Sequence, residues 1–247
     1  MTNQVKKIAI IPARGGSKPI PRKNIKSFNG IPIIGYSIKA ALESNLFDEV
    51  MVSTDDEEIK LVAESLGALV PFFRSKKASD DHATLMDVLV EVLGRYAEKG
   101  IHFDYCCCIL ATAPFVSSKR LIEGYNLIVE NQEVEAIAPI VQYRYPIQRA
   151  LKIEQGIVSM ADPQNLDMRS NDLPPRYHDA GQFYWVKSSS CSLEDKIFAM
   201  PCKPILLNDM EVQDIDTEED WNVAEIKMKL QTRYLKNICD HYDNFSS

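Results

Sequence analysis

No aspartate or glutamate occurs in the first 42 positions, although these carry Lys6, Lys7, Arg14, Lys18, Arg22, Lys23, Lys26 and Lys39. The other 205 positions hold all 35 acids against 20 Lys and Arg, so the 247-residue chain has a formal net charge of −7. An acidic whole lacks the broad positive potential that a nucleic-acid coat or a general membrane-surface binder relies on. A short basic segment on an acidic body points instead to a local site for a small anion. Long apolar runs are missing too. None approaches the roughly 20 residues that span a bilayer, and the N-terminus has no cleavable apolar stretch, so the expectation is a cytoplasmic protein with no membrane or nucleic-acid partner. The six cysteines, Cys106, Cys107, Cys108, Cys191, Cys202 and Cys239, form no Cys-x-x-Cys pair and have no His at zinc-ligand spacing. They read as reduced thiols packed as small hydrophobes. Repeats, low-complexity tracts and linkers are also absent, and a composition 45% hydrophobic and 26% charged is that of a globular chain with a substantial core.

What is present is an alternation of strands and helices. Ile8 to Ile11 is a continuous apolar run, as a parallel strand covered on both faces requires, and predicts a strand over Val5 to Ala13. A Gly- and Pro-containing loop follows from Arg14 to about Pro32. Further strands are expected at Glu49 to Ser53, Leu69 to Phe73, Tyr105 to Leu110 and Ala136 to Val141. Helices are expected around Ile34 to Leu42, Ile59 to Leu66 with Gly67 as its stop, Leu85 to Tyr96 and Lys119 to Asn131. This rhythm predicts an α/β fold, a doubly wound, Rossmann-like and mostly parallel sheet, whose ligands bind at the carboxyl ends of the strands. After about residue 142 the pattern shifts to short extended pieces and Pro-containing loops, then a strand Gly181 to Lys187. Thr217 opens a last helix, with Asp220 three residues on as a weak form of the capping box. A single domain over 1–247 with an inserted excursion near 143–178 fits this order.

Two stretches carry chemistry. Arg14-Gly15-Gly16-Ser17-Lys18-Pro19-Ile20-Pro21-Arg22-Lys23-Asn24 matches neither G-x-x-x-x-G-K-[ST] nor G-x-G-x-x-G. Its glycines nevertheless let backbone N–H groups approach an anion, Ser17 adds a hydroxyl, and Arg14, Lys18, Arg22 and Lys23 can oppose a triphosphate. The alternative is a solvated charge run. The second stretch, 209 to 220, holds Asp209, Glu211, Asp214, Asp216, Glu218, Glu219 and Asp220. On an extended segment Asp214 and Asp216 point to one side, and a carboxylate pair with phosphate oxygens suffices for Mg²⁺. Acids at a helix start also complement its dipole, which is the alternative for all seven.

Ile10-Ile11-Pro12-Ala13-Arg14-Gly15-Gly16-Ser17-Lys18, continuing to Arg22-Lys23-Asn24, resembles the signature loop of the acylneuraminate cytidylyltransferases, which join CTP to a nine-carbon acidic sugar. Val52-Ser53-Thr54-Asp55-Asp56, Ala111-Thr112-Ala113-Pro114 and Gln213-Asp214-Ile215-Asp216-Thr217 extend the resemblance to the last helix. Tyr177-His178-Asp179-Ala180-Gly181-Gln182-Phe183-Tyr184-Trp185 and Pro146 to Leu151 look like the pseudaminic acid branch of that family.

The resemblance implies a sheet of the nucleotide-diphospho-sugar transferase type and a CTP site lined by Ala13, Arg14, Gly15, Gly16, Ser17, Lys18, Arg22, Lys23 and Asn24. Arg74, with Ser79, Asp80 and Thr84, would hold cytosine and ribose. Relatives commonly carry a second basic residue directly after the lysine; Pro19 here removes a charge and an N–H donor, shifting neutralisation onto Lys18, Arg22 and Lys23. The implied catalytic set is Arg14, Lys18, Lys23, Asp214 and Asp216, the two aspartates holding Mg²⁺. Sugar contacts are expected from Thr112, Arg149, Arg169, His178, Asp179, Gln182 and Tyr184. His178-Asp179 reads equally as a packed histidine satisfied by its neighbour. In relatives the excursion reaches a second subunit, which implies a homodimer. CMP-neuraminate, CMP-legionaminate or CMP-ketodeoxyoctonate synthesis remain alternatives, as does a non-catalytic nucleotide-binding regulator.

Overall fold

The computed structural model describes residues 4–16, 19–80, 82–191 and 196–243. In chain order the strands are β1 (Lys7–Pro12), β2 (Ser27–Phe28), β3 (Ile31–Pro32), β4 (Glu49–Ser53), β5 (Tyr105–Ile109), β6 (Ala136–Gln142), β7 (Leu151–Glu154), β8 (Ile157–Met160), β9 (Tyr177–Asp179), β10 (Phe183–Lys187) and β11 (Cys202–Leu207). The helices are α1 (Ile34–Glu43), α2 (Glu57–Ser65), α3 (Leu85–Ala97), α4 (Ser118–Glu130) and α5 (Glu218–Asp243).

The central sheet runs β11-β6-β10-β5-β1-β4, with β9 attached to β6. β1 is parallel to β4 and β5, β6 is parallel to β11, and β10 lies antiparallel between β5 and β6. Among the described residues, all these strands but β9 and β10 therefore point the same way, and the doubly wound, mostly parallel expectation holds. The side-chain period of two splits the strands between two cores. Ala9, Ile11, Cys107, Phe183 and Trp185 pack with Ile38, Ile59 and Leu121 of α1, α2 and α4. Ile8, Ile10, Cys106, Cys108 and Val186 pack with Met86, Leu89 and Val92 of α3. The cysteine triplet thus lies across the sheet as small hydrophobes, each residue 0% exposed. Burial raises the thiols of Cys107 and Cys108, the latter to about 12. Cys191 and Cys202 are also unpaired thiols; the side chain of Cys239 lies outside the described residues.

Two elements differ from expectation. Leu69 to Phe73 is not a strand: it makes one parallel bridge, Leu69 to Met51. Pro71 has no N–H with which to continue the ladder, so the segment leaves the sheet edge. Conversely, β11 is not among the expected strands, because Pro204 interrupts the pattern; the edge position tolerates it, since among the described residues only one side of β11 is paired. The helix starts conform better. Asp56 accepts from the Ile59 N–H (3.0 Å) to cap α2, and Gly67 follows its end at φ +91°. Thr217 and Asp220 exchange the bonds of a capping box ahead of α5. Among the described residues no helix is long and apolar enough to cross a membrane.

Candidate active site

The loops leaving β1, β4, β5, β6 and β11 gather at one edge of the sheet, as parallel strands dictate. There a cleft of about 630 Å³ is lined by Arg14, Lys23, Asn24, Arg74, Asp80, Thr84 and Asp216, together with Pro12, Pro19, Leu85 and Val88. The buried Ala13 anchors the start of the β1 loop through its N–H to the Ser53 carbonyl (2.9 Å). Asn24 closes the loop on itself by donating to the Arg14 carbonyl (2.9 Å). Gly15 donates its N–H to Asp55 (3.2 Å), and a Cβ there would stand 2.6 Å from Asp56 Oδ2, so no other residue fits without a shift. Gly16 has open space around it. Ser17 and Lys18, both expected at the phosphates, lie outside the described residues.

Arg22 does not line the cleft as expected. Its backbone is left-handed (φ 55°), and its guanidinium binds Asp56 at 2.5 and 2.8 Å and also reaches Glu58. This pairing raises the Arg22 pKa and draws the Asp56 carboxyl down to about 2. Sequence spacing did not disclose the partnership, because the carboxylates sit more than thirty positions away.

Arg74 is held from below. It is 8% exposed, and its Nε donates to Ser53 Oγ (3.0 Å) while Nη2 reaches the Ser53 carbonyl. Burial lowers its pKa. The facing wall is the start of α3, where Thr84 and Asp87 exchange capping bonds of 3.1 and 2.8 Å. This aims a helix N-terminus at the cleft, a favourable end for negative charge. Beside it, Ser79 Oγ is buried with no hydrogen-bond partner among the described residues.

The acidic segment meets the basic loop at Lys23, whose Nζ donates to the Ile215 carbonyl (2.5 Å) and lies 3.4 Å from Asp216 Oδ1. Asp216 lines the cleft, and Asp220 holds its backbone N–H (3.1 Å). Asp214 is not among the residues lining the cleft; its carboxyl lies 3.8 Å from where a Cβ on Gly181 would be. Protein crowding desolvates that carboxyl and raises its pKa, and the Asp216 charge adds to the effect. Two hard oxygen donors whose joint ionisation is unfavourable suit a divalent cation. Among the described residues no three His, Cys, Asp or Glu side chains cluster as a metal site, so further ligands would have to be phosphate or water.

Of the expected sugar contacts, Asp179 and Tyr184 come together, and Gln182 is held separately. Tyr184 donates to Asp179 Oδ2 (2.5 Å), Asp179 Oδ1 accepts the Gly181 N–H (3.0 Å), and the buried Gln182 donates to the Glu211 carbonyl. Burial and the bond to Asp179 raise the Tyr184 pKa. Thr112 is half-buried in the turn after β5. His178 is exposed, its Nδ1 2.8 Å from the Asp179 carbonyl and its ring against Tyr143. Arg149 and Arg169 stay in the excursion, where Arg149 donates to Ser170 (3.3 Å).

A cleft with cations on one wall, an aspartate beside them and a helix start opposite is suited to a nucleoside triphosphate. The family model described as cytidylyltransferase matches residues 8–237. This chain belongs to the cytidylyltransferase family. It is 43% identical over 227 residues to the pseudaminic acid cytidylyltransferase of Campylobacter jejuni, covering 92% of this chain and 97% of the relative. It is 30% identical over 230 residues to the CMP-N,N'-diacetyllegionaminic acid synthase of Legionella pneumophila, covering 92% and 98%. A solved CMP:2-keto-3-deoxy-manno-octonic acid synthetase complexed with CTP shares the fold of this cytidylyltransferase, with a TM-score of 0.69 and 15% identity over 92% of this chain and 99% of that one.

Proposed function

We propose that this cytidylyltransferase joins CTP to pseudaminic acid, a nine-carbon acidic sugar, giving CMP-pseudaminic acid and pyrophosphate. The observation that carries the reading is the cleft in which Arg14, Lys23 and Arg74 meet Asp216 at the carboxyl edge of the sheet. The 43% identity to a relative of that name supports the choice of sugar.

In this reading the sugar's anomeric hydroxyl attacks the α-phosphorus in line, the bridging bond to the β-phosphate breaks, and pyrophosphate leaves as the hydroxyl proton is lost to solvent. Arg14 and Lys23, with Lys18 as the resemblance implies, oppose charge on the departing pyrophosphate. Arg74, pinned to Ser53, sets the depth of the nucleoside. Asp214 and Asp216 would hold Mg²⁺, which when bound supplies charge neutralisation at phosphate oxygens. The bonded pair Asp179 and Tyr184, with Gln182 held on the Glu211 carbonyl, orients the sugar.

The sugar's own carboxylate calls for cations, and Arg149, Arg169 and His178 lie on or beside the 143–178 excursion. We place them across a homodimer interface. Leu151, Ile153, Ile157 and Val158 of the β7–β8 hairpin are 64, 73, 70 and 57% exposed, and such apolar patches mark interaction sites. The cytoplasm, where CTP is available, is the proposed setting.

The test is pyrophosphate release with Mg²⁺, comparing CTP with ATP, GTP and UTP, and pseudaminic with legionaminic and N-acetylneuraminic acid. The expected result is the highest kcat/KM for CTP with pseudaminic acid. A preference for another sugar reassigns the acceptor, and no release with CTP and any of the three overturns the reading.

A further inference from the structure

Ile215 stands between the two aspartates, and exposure alternates along the segment: Asp214 and Asp216 are exposed while Ile215 is 0% exposed. Its side chain does not enter either sheet-face core. It joins a third, smaller core with Ile20 of the basic loop, Phe28 of β2, Phe115 and Trp221 of α5. Ile20 is likewise 0% exposed and Trp221 3% exposed, with the Phe28 ring meeting Trp221 edge-on at 5.5 Å. The backbone makes the same connection by another route, since the Ile215 carbonyl accepts from Lys23 Nζ at 2.5 Å. Outside the core, Lys26 of the basic loop binds Glu218 at 2.7 Å and lies 4.5 Å over the Trp221 ring.

We propose that Ile215 is a positioning residue, clamping the acidic segment to the cationic loop through this small core. The inference rests on the reading that Asp214 and Asp216 act at the phosphates. Two carboxylates on a segment with no side-chain anchor could slide relative to Lys23. A displacement on the order of 1 Å at reacting groups costs roughly 10²-fold in rate. One buried residue that contacts the loop by both side chain and carbonyl removes that freedom without touching substrate.

The experiment uses the full chain with Ile215→Ala, Ile215→Val and Ile215→Leu. Calorimetry reads CTP binding without metal or sugar, then Mg²⁺ binding to the CTP-bound protein, again without sugar; steady-state assays supply kcat. For Ile215→Ala, metal-free CTP affinity is expected to stay within about threefold of the parent, while Mg²⁺ affinity and kcat each fall by about tenfold or more. Ile215→Leu should recover most of both losses. If Ile215→Ala fails to fold, Ile215→Val, which removes one methylene, carries the test with a smaller loss in the same two quantities. A variant that melts earlier yet keeps parental kcat and Mg²⁺ affinity would show a merely structural role and overturn the proposal. Asp216→Asn separates the two levels. If it loses rate and Ile215→Ala does not, only the positioning role fails. If it keeps full rate, the reading of the aspartates fails and the positioning role with it.

Discussion

The cleft and the 143–178 excursion are built on opposite rules. Around the cleft, three of the described side chains stand on something buried: Arg74 on Ser53, Lys23 on the carbonyl of Ile215, and Asp216 beside a side chain that is 0% exposed. In the β7–β8 hairpin all but one residue is exposed, and its apolar side chains have no cover within the described residues. A lone two-stranded hairpin is marginal in water. The contrast teaches where each part obtains its order: the nucleotide side from its own chain, the sugar side, in our proposal, from a second copy.

The largest expected effect breaks the cleft alone. Asp214→Asn or Asp216→Asn should lower pyrophosphate release by roughly 10²-fold or more, with the sedimentation mass unchanged. Full rate in either variant would remove the aspartate pair from the chemistry. The next test breaks the excursion alone. The double variant Ile153→Asp with Ile157→Asp places two charges on an apolar patch. It should sediment as a monomer and raise the sugar KM by about tenfold, roughly 1.4 kcal/mol, while CTP binding stays parental. An unchanged mass would place the contact elsewhere.

The smallest effect concerns the support beneath the loop. Asp56 has its carboxyl depressed from 3.8 to about 2, chiefly by the bond from Arg22. A depressed carboxyl contributes stability that is present above its unfolded pKa and is lost as pH falls toward the folded one. The parent should therefore lose about 1 kcal/mol between roughly pH 4 and 2 through this pair, a figure kept low because the Arg22 side chain is 37% exposed. Asp56→Asn, which keeps a capping oxygen for α2, should show a flatter acid limb in thermal melts. Identical limbs would remove the pair from the stability account.

Much of this was legible in the residues because the signals are local. Apolar runs identified the buried strands, Thr217 and Asp220 marked the start of α5, and the glycines and cations of the first loop marked an anion site. Proline hid the rest of the sheet. Pro71 ended a segment that reads as a strand, and Pro204 concealed one that pairs along its whole length with β6. Partnerships across long sequence distance were not legible either. Arg22 reads as a phosphate cation until Asp56 and Glu58 stand beside it. Ile215 reads as a spacer between two acids until Ile20 and Trp221 close around it. The antiparallel course of β10 is also tertiary, since direction leaves no mark on a short, mostly apolar run.

The most direct test of cytidylyl transfer to an acidic sugar is ³¹P NMR of the purified protein incubated with CTP, Mg²⁺ and pseudaminic acid. The account predicts that the CTP resonances are replaced by one phosphodiester signal, from the CMP-sugar, and by pyrophosphate in equal molar amount, and that omitting the sugar leaves CTP intact. Free CMP formed without the sugar, or CTP left intact with it, would contradict the account.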